Sequence, residues 1–531
     1  MHILSALLQS EEHLAHVPLV VSKLTCSIFE REGVLILMKV ALINPPHRGE
    51  LNFTKPTYPL GLGYLKAMCK NLDIFCDLFD FSSSILSDIE LCTKYKLSDY
   101  DYIGISTYTI NFMDTLELIK LIKTDKNIII LGGHHASLLG KKILEDFNFI
   151  DYAMMGYAEY TFTDFLKLQG KDEDALHQIP GLCYRKNGIA YSNEAVYDTL
   201  NLGELPYPNR EDIIFNFPAG LTDSGELPII SSRGCTFRCA YCVNCRRTFW
   251  LTREINDVID EISLQFEKSN YRIINFIDCN FFINPKRAAE IINAINNLQA
   301  DAKITFQTRS DQIVKNESIV RQLLNTRKVK IYIGVESNSH EVLTRLKKDT
   351  TPQDNQKAVD IIKDYYNDVI IYTIMFEPVS TLNEIRVTFD FFKNNKLYSY
   401  LNSKGLPQPM IPLYGTDYYD EFKDHYDIDI HSISKPIYVE QGVKNLKDCF
   451  DAFISEYDDQ IKEKLHYIKD NGQEIDIGDF KFFSIIYFYV FEFFLIHAEK
   501  QVEIEYNDFK HTSIAEQLEK YLLKYHTQMA I

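Results

Sequence analysis

The sequence has little of what several protein classes require. Basic charge is in deficit: 56 Lys and Arg stand against 74 Asp and Glu, a net charge of −18 over 531 residues. A chain of that sign repels a phosphate backbone at long range, which disfavours nucleic acid as the default partner. No apolar run reaches the roughly 20 residues of a membrane-spanning helix. The longest, from Phe482 to His497, is interrupted by Glu492 and flanked by charge. It reads as a buried helix, with Tyr487, Phe488, Tyr489, Phe491, Phe493 and Phe494 as core. The first residues carry charge where a secretory signal needs an apolar region, so no export signal is expected there. The 11 cysteines are odd in number and mostly scattered. That argues against a disulfide scaffold and for a reducing, cytoplasmic setting. Internal repeats and low-complexity tracts are lacking as well.

What is present is enough hydrophobic residue, 46%, for real cores; the length suits about three domains. Residues 1–37 read as an N-terminal extension: either Met38 is the native start or these residues pack loosely. From 38 to 170, short apolar runs (VALINPP, FCDLFDF, YIGIST, IIILGG, YAMMGY) alternate with helical patterns. Such alternation gives a parallel sheet with helices on both faces. Ligands bind these sheets at the carboxyl ends of the strands. Those ends carry Asn44-Pro45-Pro46, Ser106-Thr107-Tyr108, Gly132-Gly133-His134-His135 and Gly156-Tyr157-Ala158-Glu159. Residues 171–226, mixed and with several Pro and Gly, read as a linker. A second alternating series fills 227–425, its strands being LPIISS, RIINFID, KITFQT, VKIYIGV, VIIYTIM and LYSYLNS. Six β/α units are too few for a closed eight-unit barrel, so an open, partial one is expected. Residues 426–531 read as a helical C-terminal domain.

The tightest chemical signal is SSRGCTFRCAYCVNC, at the end of the first strand of that second series. Cys235, Cys239 and Cys242 are spaced C-x3-C-x2-C, so one loop brings three thiolates to one small centre. Thiolates of this kind hold iron–sulfur clusters, and three ligands on a [4Fe–4S] cube leave one iron open. Zinc is the competing reading, because Cys245 offers a fourth thiolate for a closed structural site. The aromatic Tyr241 before the third cysteine, the strand ahead of the loop and the α/β series behind it decide the matter. Together they resemble the radical SAM superfamily, whose loop reads C-x3-C-x-aromatic-C. In that family the open iron chelates S-adenosylmethionine and an electron from the cluster cleaves it to a 5′-deoxyadenosyl radical; the chemistry is the cofactor's and the protein aims it. Cys245 becomes a bystander or a substrate-side residue.

Further segments are similar to the same family. FIDCNFFINPKRA resembles the Asp-Asp-x-Phe segment, with Asp278 and Phe281 matching and Cys279 in place of the expected acid or small residue. FQTRSDQI places Arg309 and Asp311 as expected. IGVESNSHEVLTRLKKDTT is close to the fifth segment, which implies that Glu336 and Ser337, together with Tyr241 and Arg309, face the cofactor. IYTIMFEPVSTLNEI departs from Gly-x-Pro-Gly-Glu-Thr, having Phe376-Glu377-Pro378, and PLYGTDYYD resembles the closing segment. Ahead of these, PLGLGYLKA, DYIGISTYT, LGGHHAS and MGYAEYTF resemble, in order, the cobalamin (B12)-binding domain found before many radical SAM modules. The resemblance gives Gly104, Ser106, Thr107, Gly132, Gly133 and Gly156 cobalamin-binding roles. D-x-H-x-x-G, the cobalt-ligating signature, is missing, and His134 and His135 read as hydrogen-bonding loop residues.

The resemblance therefore implies an α/β protein: a Rossmann-like (flavodoxin-like) cobalamin-binding domain, a partial (β/α)6 TIM-type radical SAM barrel and a helical C-terminal domain. The implied activity is methylation of an unactivated carbon of a small-molecule or peptide substrate through a 5′-deoxyadenosyl radical and methylcobalamin. The implied cofactors are a [4Fe–4S] cluster, S-adenosylmethionine and cobalamin, and the implied partner is an external electron donor of flavodoxin or ferredoxin type. Three alternatives stay open. One is a cobalamin-dependent rearrangement or ring modification without methyl transfer. Another is a methylthiotransferase, for which Cys69, Cys76 and Cys92 are the unevenly placed candidates for a second cluster. The last is a non-catalytic cobalamin-binding protein.

Overall fold

The computed structural model describes residues 28–48, 57–168, 174–215, 225–244, 249–398, 408–470, 477–501 and 506–516 apart from isolated positions. The chain divides into two units, 1–228 and 229–531.

In the first unit, β1 (Ile28–Arg31) and β2 (Val34–Leu37) form an antiparallel pair ahead of the main sheet. The rest of the expected N-terminal extension lies outside the described residues. The five expected strands follow: β3 (Lys39–Asn44), β4 (Phe75–Asp80), β5 (Tyr102–Ser106), β6 (Ile128–Gly132) and β7 (Tyr152–Met154). They pair in parallel in the order β4-β3-β5-β6-β7. Their near-continuous apolar character follows from burial on both faces. Val40, Leu42 and Ile130 pack with Phe162 and Phe165 of the helix Ala158–Leu168 in one core. Strand order reverses at β3, whose neighbours are β4 and β5, and this is where such sheets bind ligands.

The stretch expected to be a linker instead completes this sheet. β8 (Leu182–Lys186) and β9 (Ile189–Ser192) form an antiparallel hairpin on β7, and β10 (Ile213–Phe215) runs parallel beside β4, for eight strands in all. The hairpin loop is Asn187-Gly188, with φ of 52° and 79°. Asn-Gly between strand-forming runs is the strongest short-range hairpin signal, because both loop residues must take positive φ.

At the boundary, β11 (Glu226–Ile229) leads into the second unit and to a side pair, β12 (Ser232–Gly234) and β13 (Trp250–Thr252), which brackets the cysteine loop. β14 (Ile273–Phe276), β15 (Lys303–Arg309), β16 (Val329–Glu336) and β17 (Val369–Thr373) continue the sheet in the order β11-β14-β15-β16-β17. β14 through β17 are parallel, and amphipathic helices such as Ile255–Lys268, Pro285–Asn297 and Glu317–Asn325 connect the strands. The expected sixth strand, LYSYLNS, falls largely outside the described residues. Just past it Pro409 bridges Phe376 in parallel, and the Met410 N–H donates to the Phe376 carbonyl at 2.8 Å. An open, partial barrel is the result.

The C-terminal helix Ile477–Glu499 packs on both the helix Gln441–Asp470 and the helix Leu382–Asn394. Phe389 stacks on Phe488 at 4.2 Å, and Phe450 meets Phe491 edge-on at 5.1 Å. Tyr487, Phe488, Phe491 and Phe494 are buried, as the core reading requires, whereas Tyr489 is 45% exposed. No helix among the described residues is long and apolar enough to cross a membrane.

Candidate cofactor sites

In the first unit the carboxyl ends of β5, β6 and β7 are tied to one another. The Thr107 backbone N–H and hydroxyl both donate to the Gly132 carbonyl, at 2.9 and 3.0 Å. Ser137, which sequence reasoning passed over inside LGGHHAS, donates to the Gly133 carbonyl at 2.8 Å and accepts from the Gly156 N–H at 3.0 Å. Gly133 and Gly156 have φ of 86° and 82°, where L side chains are strained. A Cβ on Gly133 would sit 2.6 Å from the Thr107 carbonyl oxygen, so G133A is expected to distort this loop at a cost of about 1–3 kcal/mol. Urea unfolding and cobalamin titration of the variant check it; unchanged values on both would discount the loop's role.

Gly132, by contrast, faces open space, with nothing within 4 Å of an added Cβ. The helix that starts at Gly133 has no side-chain cap, and in its first turn the His135 N–H donates to the Thr107 carbonyl at 3.1 Å. This open, uncapped edge fits a ligand with a polar tail, such as cobalamin. Gly104 lies elsewhere: it is buried mid-strand, where a Cβ would meet Leu42 at 2.9 Å and Phe162 at 3.7 Å, so its smallness serves packing. His135 is buried, its Nδ1 paired with the Thr109 hydroxyl at 3.1 Å and its ring 4.2 Å from Phe112. His134 sits beside the Tyr108 ring at 5.3 Å.

In the second unit the cysteine loop is fixed from both ends. Gly234, with φ of 86°, turns out of β12, where a Cβ would strike the Phe249 carbonyl at 2.3 Å. Asp278, buried just past β14, accepts from the Ser231 N–H and hydroxyl at 2.9 and 2.7 Å. It therefore anchors the strand that delivers Cys235, and Arg287 adds a 3.0 Å bond to the same Ser231 hydroxyl. Further along, the Ala240 N–H donates to the Leu346 carbonyl at 2.8 Å, and the Ala240 carbonyl accepts from the Tyr418 N–H at 2.9 Å. Burial pushes the Cys242 thiol up to about 12, against a donated Asn244 N–H, and neighbouring Cys239, Cys279 and Cys235 push the same way. Burial likewise raises Cys235, with Cys239 adding to it. Thiols raised in this way bind a metal centre as thiolates, their protons going to solvent. Among the described residues no group of three His, Cys, Asp or Glu is gathered for a single metal ion. Cys245 lies outside the described residues.

Around the triad stands a buried polar cluster. Arg309 Nη1 donates to Cys239 Sγ at 3.2 Å, its guanidinium lies 4.0 Å from the Phe237 ring centre, and it also donates to the Lys348 carbonyl. Tyr241 Oη donates to Glu336 Oε1 at 2.9 Å, and Lys348 Nζ donates to the same oxygen at 2.7 Å. Burial first, then the Glu336 charge, holds the Tyr241 phenol far above its ordinary range. Glu336 itself takes φ of 64° at a register shift between β16 and β17. Its carbonyl is held there by the Ile374 N–H at 2.6 Å and the Thr373 hydroxyl at 2.8 Å. A bulge that re-aims a side chain, paired with backbone strain, is characteristic of working sites. Gly334 makes room for the pair: a Cβ there would lie 2.5 Å from Glu336 Oε1 and 3.0 Å from Lys348 Nζ.

Comparison with known proteins gives the same two assignments. Residues 51–166 match the B12 binding domain family, and residues 229–392 match the radical SAM superfamily. The chain joins a B12-binding domain to a radical SAM domain. An uncharacterized methyltransferase of Pyrococcus horikoshii is 26% identical over 366 residues, covering 67% of this chain and 78% of that protein. Among solved structures, the cobalamin-dependent S-adenosylmethionine radical enzyme OxsB, with aqua-cobalamin and S-adenosylmethionine bound, superposes with a TM-score of 0.68. It is 19% identical and covers 98% of this chain and 81% of that one. The radical S-adenosylmethionine methyltransferase TsrM from Kitasatospora setae, with cobalamin and a [4Fe–4S] cluster bound, gives 0.55 at 15% identity, over 75% of this chain and 83% of that one. At these identities the two structures establish the shared fold.

Within the radical SAM domain, Tyr241, Arg309 and Glu336 gather beside the cysteines. Ser337 does not join them: its hydroxyl pairs with Thr388 at 2.8 Å and accepts from the Ser339 N–H at 3.1 Å. Lys348 is the residue sequence reasoning missed. It is one of two adjacent lysines, and the other, Lys347, pairs with Asp417 at an exposed position. The Phe376-Glu377-Pro378 departure is a packing feature: Glu377 is buried and ion-paired with Arg345 at 2.9 Å.

Proposed function

We propose that this radical SAM enzyme methylates an unactivated carbon of a small-molecule or peptide substrate. The observation that carries the reading is one buried cluster in which a carboxylate, Glu336, and cations, Lys348 and Arg309, stand beside the cysteine loop, with Arg309 against Cys239. Opposite buried charges beside a thiol triad match the ammonium and carboxylate of an amino acid such as the methionine end of S-adenosylmethionine. When bound, the cluster supplies the electron that opens the sulfonium and the cobalamin supplies methyl carriage. The chain's own part is positional. Arg309 steadies the Cys239 sulfur, Asp278 fixes the strand ahead of Cys235, and Tyr241 holds the Glu336 carboxylate against Lys348. The first unit contributes the open edge at Gly132 for the corrinoid. The name of the Pyrococcus relative supports methyl transfer as the outcome. An electron donor of flavodoxin or ferredoxin type completes the proposal.

K348M removes the cation opposite Glu336. The cluster-loaded variant is expected to bind S-adenosylmethionine at least about tenfold more weakly, about 1.4 kcal/mol, by equilibrium dialysis. Unchanged affinity would remove Lys348 from the cofactor site. The function itself is tested by anaerobic turnover with hydroxocobalamin, reductant and candidate substrates. Methyl transfer predicts equal yields of 5′-deoxyadenosine and S-adenosylhomocysteine and a product heavier by one methylene. Formation of 5′-deoxyadenosine alone, with no gain in product mass, would instead establish a rearranging or ring-modifying enzyme.

A further inference from the structure

Cys279 occupies the position just after Asp278, past the carboxyl end of β14. The fold bends this thiol toward the cysteine loop. Its Sγ accepts from Asn244 Nδ2 at 3.3 Å and from the Gly234 N–H. Gly234 immediately precedes Cys235, and Asn244 lies two residues beyond Cys242, so Cys279 is bracketed by both ends of the loop that carries the triad. It is solvent-accessible, unlike the buried Cys239. Next to it, Asn280 is 3% exposed and keeps Nδ2 without a hydrogen-bond partner, while its Oδ1 accepts from Phe282 N–H and Thr308. Cys279 feels the charge of Cys235 and exerts its own on Cys242, so it shares the neighbourhood of the triad.

We infer that Cys279 is a fourth, exchangeable sulfur ligand, closing the open iron of the cluster while S-adenosylmethionine is absent. This rests on the cluster reading of Cys235, Cys239 and Cys242. The step is ligand exchange without redox change. The amino and carboxylate groups of S-adenosylmethionine bind the iron, the Cys279 sulfur leaves as thiolate, and it takes a proton from solvent. The bond lost is iron to Cys279 sulfur, and the bonds gained are iron to nitrogen and oxygen.

The test compares wild type with C279A, both reconstituted anaerobically, with iron, sulfide and the charge-transfer absorption measured first. Ferricyanide then removes one electron from each cluster. An oxidised cube with an unprotected iron loses it as ferrous ion and leaves a [3Fe–4S] centre, visible by electron paramagnetic resonance. Without S-adenosylmethionine, C279A is expected to convert severalfold more than wild type. Adding S-adenosylmethionine should restore resistance to the variant, which also shows that its site is folded. Equal conversion of the two proteins without S-adenosylmethionine would overturn the assignment of Cys279. Failure of wild type to hold any cluster would instead sink the triad reading, and failure of C279A alone to retain one would place Cys279 among the permanent ligands and overturn its exchangeable role.

Discussion

Replacing Cys235, Cys239 or Cys242 with Ala is expected to abolish both the charge-transfer absorption of the reconstituted protein and its production of 5′-deoxyadenosine from S-adenosylmethionine. Each thiol is one of only three protein ligands that one short loop supplies, and none of their positions is redundant. Cys239 is buried beneath Arg309, and Cys242 follows through a turn in which its N–H donates to the Cys239 carbonyl at 3.0 Å. Removing one sulfur leaves two on the loop, and Cys279, whose place is at the iron that S-adenosylmethionine takes, cannot stand in for the lost one. C245A is the control and should behave as wild type. Adenosyl radical formation that survives loss of any one of the three, or a purified protein that holds only tightly bound zinc, would end the proposal.

The second large effect is on stability. R345A is expected to destabilise the second unit by about 3–5 kcal/mol, because it leaves two buried carboxylates without their cation. Arg345 pairs with Glu377 at 2.9 Å and Glu384 at 2.7 Å, and both acids are nearly inaccessible. Urea unfolding followed in the second unit is the measurement; a loss under about 1 kcal/mol would mean that the pair is loosely solvated. E377Q should cost much less. Burial raises the Glu377 carboxyl above its ordinary value of 4.5 even though Arg345 opposes the shift. A raised carboxyl supports the fold below its ordinary value and withdraws that support as pH rises through the raised one. Wild type should therefore lose stability relative to E377Q as pH climbs past 4.5.

Much of this was legible in the chain because each feature rested on a local pattern. The five strands of the first sheet were short apolar runs bounded by turn residues, and the triad announced itself by spacing. What escaped reading depended on neighbours remote in sequence. Nothing distinguishes Lys347 from Lys348 until the fold turns one toward Asp417 and buries the other against Glu336. Gly104 and Gly132 look alike as letters, yet one is closed in by Leu42 and the other faces open space. Ser337 follows Glu336 directly, but the bulge that gives Glu336 its positive φ sends the serine hydroxyl to Thr388. The β8–β9 hairpin is a different kind of miss. Its Asn-Gly signal was present in the sequence, and the surrounding prolines and glycines drew the reading toward an unstructured connection.

That hairpin and β10 bear on how the N-terminal half can be handled in isolation. They lie on opposite flanks of the parallel strands, β8 on β7 and β10 on β4, and both come from the stretch after residue 180. A fragment ended at 170 would bare the N–H and C=O rows of two inner strands at once, inviting strand-to-strand association between copies. Carried past β10 and stopped ahead of β11, the same half presents only short outer strands, four residues in β9 and three in β10. The safe cutting point for a corrinoid-binding fragment is therefore set by the flanks of the sheet, well downstream of residue 166, where the B12-binding match ends.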